Sequence, residues 1–348
     1  MIKRLMHRYN CDAILFLDSK NIRYICGFRG DNGMLICTNK EHVLVTDPRF
    51  ELDAKNTVKN ARIVINEKET ALWDMPELYK ELKIKRMGFS SNIMTVDVYE
   101  RLKKFMELVP LDIIPSSYRY IKTKDEIRLM KKAIEAQEKA YKEVLPRLAE
   151  GISELTFAAE LDYRMKLSGA ESTAFATIIA FAENSAIIHA TPTDKKIKGN
   201  GPLIIDFGAV CDGYCSDETV TLLFGKVDDM ISNIYDDVYT AQKRAIEAVR
   251  PGVKAVQLYD KAYGYLMKKG YGDLIQHSLG HHIGLDIHEY PKIFSFTDFV
   301  FEEGMVFTIE PGLYLPRIGG VRIEDMVTVT STGVEVLTSL PKEKKVFI

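Results

Sequence analysis

The chain has 348 residues, 46% hydrophobic and 28% charged, a composition that excludes a disordered or fibrous protein and gives material for two domains. Its 47 basic and 49 acidic residues leave a formal charge of -2, so no polyanion-binding surface is implied and nucleic-acid binding is not expected. No run approaches the ~18 apolar residues of a membrane helix, Asp12 and Asp18 break the apolar start so that no signal peptide is expected, and five cysteines, an odd number, argue against a disulfide framework and for a reducing cytoplasm.

In chain order, residues 1–16 predict a short helix feeding a strand at Ala13–Leu17, with a second short element at Asn21–Gly27. Met34–Thr38 and His42–Thr46 read as strands around the turn Asn39-Lys40-Glu41, and Ala61–Ile65 as another. Helices are expected over Trp73–Leu82 and Val96–Phe105, with a strand at Arg86–Phe89 between them. This alternation argues for a small α/β domain. It closes near Pro110–Ser117, where two prolines and two serines mark a boundary, giving domains 1–117 and 118–348. Thr123 and Glu126 then fit a capping box, with Ile127, Met130, Ile134, Ala140 and Val144 along one side of the helix that follows.

A second helix is expected over Ser153–Leu167, then paired strands at Ser172–Ile179 and Ser185–His189. Leu203–Phe207 and Thr219–Phe224 are strands on either side of the turn Cys211-Asp212-Gly213. Helices over Ile231–Val249 and Val256–Lys269 are separated by Pro251-Gly252, and Val306–Ile309, Val321–Thr330 and Val334–Leu337 are strands. Hairpins with four long helices suggest an antiparallel sheet backed by helices rather than repeated βαβ units, an α+β fold.

The chemistry is carried by charges inside apolar runs: LIIDFGAV, GYCSDETV, SLGHHIGLDIHE, VFTIEPGLY and VRIEDMVTV. A buried charge costs several kcal/mol unless paired or bound to a metal. Asp206 and Asp217 are eleven residues apart, and a reversal at Asp212-Gly213 would set them side by side, where both stay ionised only beside a cation. The alternative is two turn-associated aspartates at a wet strand end. Glu310 and Glu324 repeat the arrangement, with Gly319-Gly320 available to reverse the chain. Period-2 alternation points Arg322 and Glu324 to one face and Asp325 to the other. A solvated edge-strand ion pair is the alternative here.

Of seven histidines, five fall in the second domain: His189, His277, His281, His282 and His288. Gly280 and Gly284 allow close backbone approach, which favours His281 as a metal ligand, with His189 and His288 donating hydrogen bonds or shuttling protons. Satisfied structural histidines remain the alternative for each. Cys211 and Cys215 form a lone C-x3-C and read as ordinary strand or turn residues. H-E-x-x-H is absent, since Tyr290 and Pro291 follow His288-Glu289, as are G-x-S-x-G, a P-loop and G-x-G-x-x-G.

The segments IIDFGA, GYCSDET, GHHIGLDIHE, TIEPGLY and VRIEDMVTV, in this order, resemble the ligand pattern of the pita-bread metallopeptidase family, small prokaryotic type, which includes Xaa-Pro aminopeptidases and Xaa-Pro dipeptidases (prolidases). NIRYICGFRGDNGMLICT, VTDPRF and YIKTKDEIRLMKKA are similar to the amino-terminal domain and domain junction of its Xaa-Pro-cleaving branch. Methionine aminopeptidases generally lack that domain, and creatinase lacks the dinuclear ligands.

The resemblance implies a pita-bread catalytic domain, an antiparallel sheet flanked by helices, with a smaller amino-terminal α/β domain. It implies two divalent ions per subunit, foremost Mn²⁺, with Co²⁺ typical as well and Zn²⁺ or Fe²⁺ as further candidates. Asp206 would bind one ion, Asp217 and Glu324 would bridge both, and His281 and Glu310 would complete the other side. Glu310 would also move the proton, His288 would stabilise the oxyanion, His189 would contact the scissile amide, and Arg322 would support catalysis or recognise a carboxylate.

The implied substrate is a small peptide with proline second, and the implied assembly a homodimer. An Xaa-Pro aminopeptidase is the first expectation, a dipeptide-restricted prolidase the second, and a non-catalytic binding module built on the fold a third of another class. Four departures from the family pattern stand out: His282 at a usual glycine, Ile188 at a usual proline, Phe181-Ala182 for Ser-Gly, and Val220 for arginine. His282 is expected to narrow the site or change its pH response.

Overall fold

Strand alternation layers the first of two compact units, Met1–Tyr118; the second is Arg119–Ile348. The structure is a computed structural model that describes residues 2–67, 72–111, 117, 119–148 and 151–347. In chain order the first unit runs α1 (Ile2–Tyr9), β1 (Ala13–Phe16), α2 (Ser19–Cys26), β2 (Gly33–Thr38), β3 (His42–Thr46), α3 (Glu51–Thr57), β4 (Arg62–Ile65), α4 (Pro76–Glu81), β5 (Arg86–Ser90), α5 (Val96–Leu102) and β6 (Glu107–Leu111). Its mixed sheet has the order β4-β3-β2-β1-β5-β6. Ala13, Leu15, Met34 and Val45 pack on one face with Leu78, Tyr79 and Leu102 of α4 and α5. Ile14, Phe16, Leu35 and Leu44 pack on the other with Met6, Ile22 and Ala54 of α1, α2 and α3.

Two elements of this unit are invisible to sequence patterning. α3 has only Ala54 buried, so it carries almost no apolar periodicity. β6 contains Pro110, which reads as a boundary but sits on an edge strand, where a missing N–H interrupts no ladder. Most of the rest of the expected boundary, 112–116, lies outside the described residues.

The second unit has four long helices, α6 (Lys124–Val144), α7 (Glu154–Leu167), α8 (Asp229–Ile246) and α9 (Ala255–Lys268). The capping box forms: Glu126 N–H donates to Thr123 Oγ1 at 3.2 Å and Thr123 N–H to Glu126 Oε2 at 2.8 Å. The strands are β7 (Ser172–Thr173), β8 (Ile178–Phe181), β9 (Gly201–Phe207), β10 (Ala209–Cys211), β11 (Tyr214–Cys215), β12 (Glu218–Phe224), β13 (His281–His282), β14 (Glu289–Lys292), β15 (Val306–Ile309), β16 (Gly312–Leu315), β17 (Gly319–Arg322), β18 (Asp325–Val329), β19 (Val334–Val336) and β20 (Val346–Phe347). They form two main sheets, β20-β12-β9-β8 and β14-β13-β15-β18-β19, and two small ones, β11-β10-β7 and β16-β17. Pairing is antiparallel except between β12 and β20.

Each main sheet is backed by one helix pair. Tyr141, Phe157 and Leu161 of α6 and α7 pack against Ile205, Phe207 and Leu222. Ile234, Val238 and Leu266 of α8 and α9 pack against Phe307, Ile309 and Val327. The turn between β10 and β11 is as expected, with Asp212 and Gly213 both left-handed (φ 48° and 77°), the geometry of a tight hairpin.

Three expectations are corrected. Ser185–His189 is not a strand: a 3₁₀ turn over Ala182–Ala186 follows β8. Gly319-Gly320 does not reverse the chain; the reversal falls at Pro316–Ile318, where Arg317 is left-handed (φ 67°), and the two glycines lie in β17. The run Val321–Thr330 is two strands, broken at Ile323-Glu324. That break releases Glu324 from a regular ladder.

Candidate metal centre

Two sheets deliver the acidic residues to one cleft. On β9, Leu203, Ile205 and Phe207 face α6 and α7, so alternation turns Asp206 the other way. β12 pairs Thr219 opposite Asp206, and Asp217 stands just ahead of that strand. From the other sheet, Glu324 N–H donates to Thr219 O at 3.2 Å, and Thr219 Oγ1 donates to Glu324 Oε2 at 2.6 Å. His281 lies on β13, fixed by its N–H donating to Thr308 Oγ1 at 3.1 Å. Glu310 follows β15 directly, its N–H donating to Leu279 O. Gly280 permits this approach, because a Cβ there would meet Thr308 O at 1.9 Å.

Ligand atoms of Asp217, His281 and Glu324 lie within 4.8 Å of one another. His281 Nε2 is 3.4 Å from Asp217 Oδ2 and 3.5 Å from Glu310 Oε1. Asp206 joins the same cleft, lined also by Glu310 and Arg322. The structure thus gathers Asp206, Asp217, His281, Glu310 and Glu324 in one place, mostly buried.

The electrostatics of this cluster are unfavourable without a cation. Burial first, then repulsion from Asp206, holds Asp217 well above the usual carboxylate range, and Glu324 is raised by burial and by Asp217. Burial pushes Glu310 up to about 7, although His281 pulls the other way. Asp206 Oδ1 is buried without a hydrogen-bond partner among the described residues. His281 is held below its ordinary value by burial. Its Nδ1 lies 3.1 Å from His282 O, so the N–H belongs on Nδ1 and the Nε2 lone pair faces the carboxylates. Lone pairs of four carboxylates and one imidazole converge at the wall of one cleft, a donor set that fits hard divalent cations with one nitrogen ligand.

Arg322 is 2% exposed and hydrogen-bonded at all three nitrogens, which overturns the solvated ion pair. Nη2 donates to Asp206 Oδ2 at 2.5 Å, Nη1 to Tyr314 OH at 2.8 Å and Ile188 O at 3.3 Å, and Nε to Thr219 Oγ1 at 3.3 Å. Burial acts against its charge, but Tyr314 and Asp206 outweigh that and raise its pKa further. Arg322 therefore orients Asp206, and these bonds use four of its five N–H donors.

Tyr314 also contacts His277 Nε2 at 2.9 Å, and His277 Nδ1 is 2.7 Å from Ser278 O. Burial, then Arg322, pulls the His277 pKa down to about 3, so it is neutral and accepts from the tyrosine. Sequence reasoning missed His277 and Tyr314. The available signal was Gly312, whose Cβ would meet Tyr314 OH at 2.5 Å and His277 Nε2 at 2.9 Å.

His189, His288 and Lys292 line the same open cleft, which has a volume of about 330 Å³. His288 meets the His281 ring edge-on, centroids 4.4 Å apart, and partial burial, with the charges of His281 and Lys292, draws its pKa down to about 4. His189 is exposed on the wall. Lys292, also unforeseen, has no partner for its ammonium among the described residues.

His282 does not narrow the cleft. It is the next residue after His281 on a strand, so its side chain takes the opposite face. It is fully buried, stacked at 12° on Phe301, edge-on to Phe299 and beside Tyr120 and Phe307. Its Nδ1 is 2.9 Å from Pro291 O, and its Nε2 has no partner among the described residues. Asp212 stays in its turn near Lys132, and Asp325 is buried behind the cleft.

Comparison with known proteins agrees with this geometry. Residues 128–331 match metallopeptidase family M24, and residues 1–121 match the creatinase/prolidase N-terminal domain. An Xaa-Pro dipeptidase of Pyrococcus horikoshii is 36% identical over 98% of this chain and 97% of its own. The structure of an Xaa-Pro dipeptidase from Bacillus anthracis is 34% identical, covers 99% of both chains and superposes with a TM-score of 0.95. That of an X-Pro aminopeptidase from Thermotoga maritima is 31% identical, covers 99% of this chain and 100% of its own, with a TM-score of 0.91.

Proposed function

Because the chain belongs to metallopeptidase family M24 and has its pita-bread fold, we propose that it is an Xaa-Pro dipeptidase dependent on two divalent ions, foremost Mn²⁺. Asp206 would hold one ion, Asp217 and Glu324 would bridge the pair, and His281 and Glu310 would serve the other. When bound, the pair polarises the scissile carbonyl and lowers the pKa of the attacking water. Glu310 takes the water proton and returns it to the proline nitrogen as the bond breaks. His288 and His189, both in the cleft wall, donate to the carbonyl region. Arg322 holds Asp206 in its orientation. The resemblance that carries the metal assignment also supports a homodimer, and the odd cysteine count supports a reducing cytoplasm.

One observation carries the dipeptidase reading over the aminopeptidase expected first. Lys292 places an ammonium without a partner among the described residues in the cleft wall. A dipeptide presents a free carboxylate on its proline, and a longer peptide does not. The names of the Pyrococcus and Bacillus relatives support the same choice, while the Thermotoga structure keeps the aminopeptidase as the second reading. The test compares an Xaa-Pro dipeptide with its amide and with an Xaa-Pro-Yaa tripeptide. The dipeptide should be strongly preferred. Lys292→Met should raise KM for the dipeptide by about 10-fold or more, the worth of a charge-assisted hydrogen bond, and leave the amide unchanged. Equal turnover of tripeptide and dipeptide would sink the proposal.

A further inference from the structure

Each carboxylate proposed as a bridge is followed by a second acid that points away from the cleft. Glu218 follows Asp217 and Asp325 follows Glu324, both buried. One cation lies between them. Lys342, from the segment after β19, places Nζ 2.5 Å from Glu218 Oε1 and 3.4 Å from Asp325 Oδ1. The other oxygens are taken as well. Gln137 on α6 donates to Glu218 Oε2 at 3.0 Å, and Gln242 on α8 donates to Asp325 Oδ2 at 2.8 Å.

Stability alone is a poor reason for this triad, since an apolar replacement of similar volume often does as well. Its placement suggests another. β12 and β18 belong to different sheets, so no strand ladder fixes their register. Yet a bridging pair of carboxylates must be held to within about 0.5 Å to share two ions. We propose that Lys342 is a positioning residue for the metal pair: by clamping Glu218 to Asp325 it sets the separation of Asp217 and Glu324. The inference rests on the two-ion reading of the site, which the wild-type protein tests separately.

The experiment is a titration of metal-free protein with Mn²⁺, followed by electron paramagnetic resonance, which counts bound ions and distinguishes an exchange-coupled pair from isolated ones. Wild-type protein should bind two ions and give the coupled spectrum; failure of that result removes the two-ion reading itself. Given that result, Lys342→Met should weaken at least one Mn²⁺ by about 10- to 100-fold, the usual effect of losing an outer partner of a ligand, and should diminish the coupled signal. Lys342→Arg should restore much of both. A merely structural lysine would change the unfolding midpoint and leave the spectrum of the loaded protein as it was. Should Lys342→Met not fold, Glu218→Gln/Lys342→Met removes one anion with the cation and carries the same readout. A folded variant with wild-type Mn²⁺ affinity and an unchanged coupled spectrum would overturn the proposal.

Discussion

Neighbouring histidines show how one residue step separates chemistry from packing. His281 turns its Nε2 to Asp217 and Glu310, while His282 enters an aromatic cluster on the opposite face. His282→Gly, which installs the residue usual in the family, should therefore leave KM for a dipeptide within about threefold. It should destabilise the protein by about 2–5 kcal/mol through the cavity it leaves, measured by denaturant unfolding. Asp217→Asn and Glu324→Gln should behave in the opposite way. Each should reduce turnover by more than the ~100-fold upper range of an outer-partner loss, with bound Mn²⁺ falling in parallel; near-normal turnover would show that the bridges are misassigned. The four carboxylates stood out in the sequence beside apolar runs and His281 between flanking glycines, and the family resemblance joined the five into one ligand set. Tyr314, His277 and Lys292 did not stand out, since a tyrosine in GLYL and a lysine after proline look like ordinary strand and loop residues.

At the level of elements, short backbone approaches and single buried side chains do the positioning. Gly280→Ala would drive a methyl group into the Thr308 carbonyl and displace His281. Metal affinity should fall at least about 10-fold, while secondary structure by circular dichroism stays wild-type. Glu154, at the start of α7, accepts from Phe181 N–H, Asn184 Nδ2 and Thr193 N–H, and so ties down both ends of the segment bearing His189. Glu154→Gln should raise KM several-fold with little change in Mn²⁺ binding, because a neutral amide cannot accept all of these bonds. Capping boxes, alternating strands and the Asp212-Gly213 turn were readable because each depends on local rules. The 182–189 segment was not readable, because the buried Glu154 that shapes it lies about 30 residues earlier. The break at Ile323-Glu324 was likewise hidden, since its cause is the contact with Thr219 on another sheet.

For the molecule as a whole, the metal-free protein should lose stability as pH rises above about 6.5, where the buried histidines no longer bind protons in either state. Asp217, Glu310 and Glu324 have folded-state pKa values above their ordinary ones, so the folded state binds more protons than the unfolded state between those values. Their contribution is greatest below the ordinary carboxylate range and falls as pH climbs through about 7, where Glu310 ionises, whereas His277, His282 and His288, held down to about 3, 3 and 4, cost stability as pH falls below their ordinary 6.5. Mn²⁺ at 100 times its Kd should add about 2.7 kcal/mol and flatten that dependence, as thermal unfolding across pH would reveal. An apoprotein whose stability stays flat from about pH 6.5 upward through neutrality would contradict the raised carboxylate pKa values. The two-sheet construction has a further consequence for how the chain matures. Residues 206–217 and 281–324 each supply only part of the ligand set, from sheets with separate helix backings. Neither half alone can retain an ion pair during synthesis or refolding. Metal capture therefore reports that the two halves have docked, and a stalled or half-folded chain remains unloaded and inert toward peptides around it.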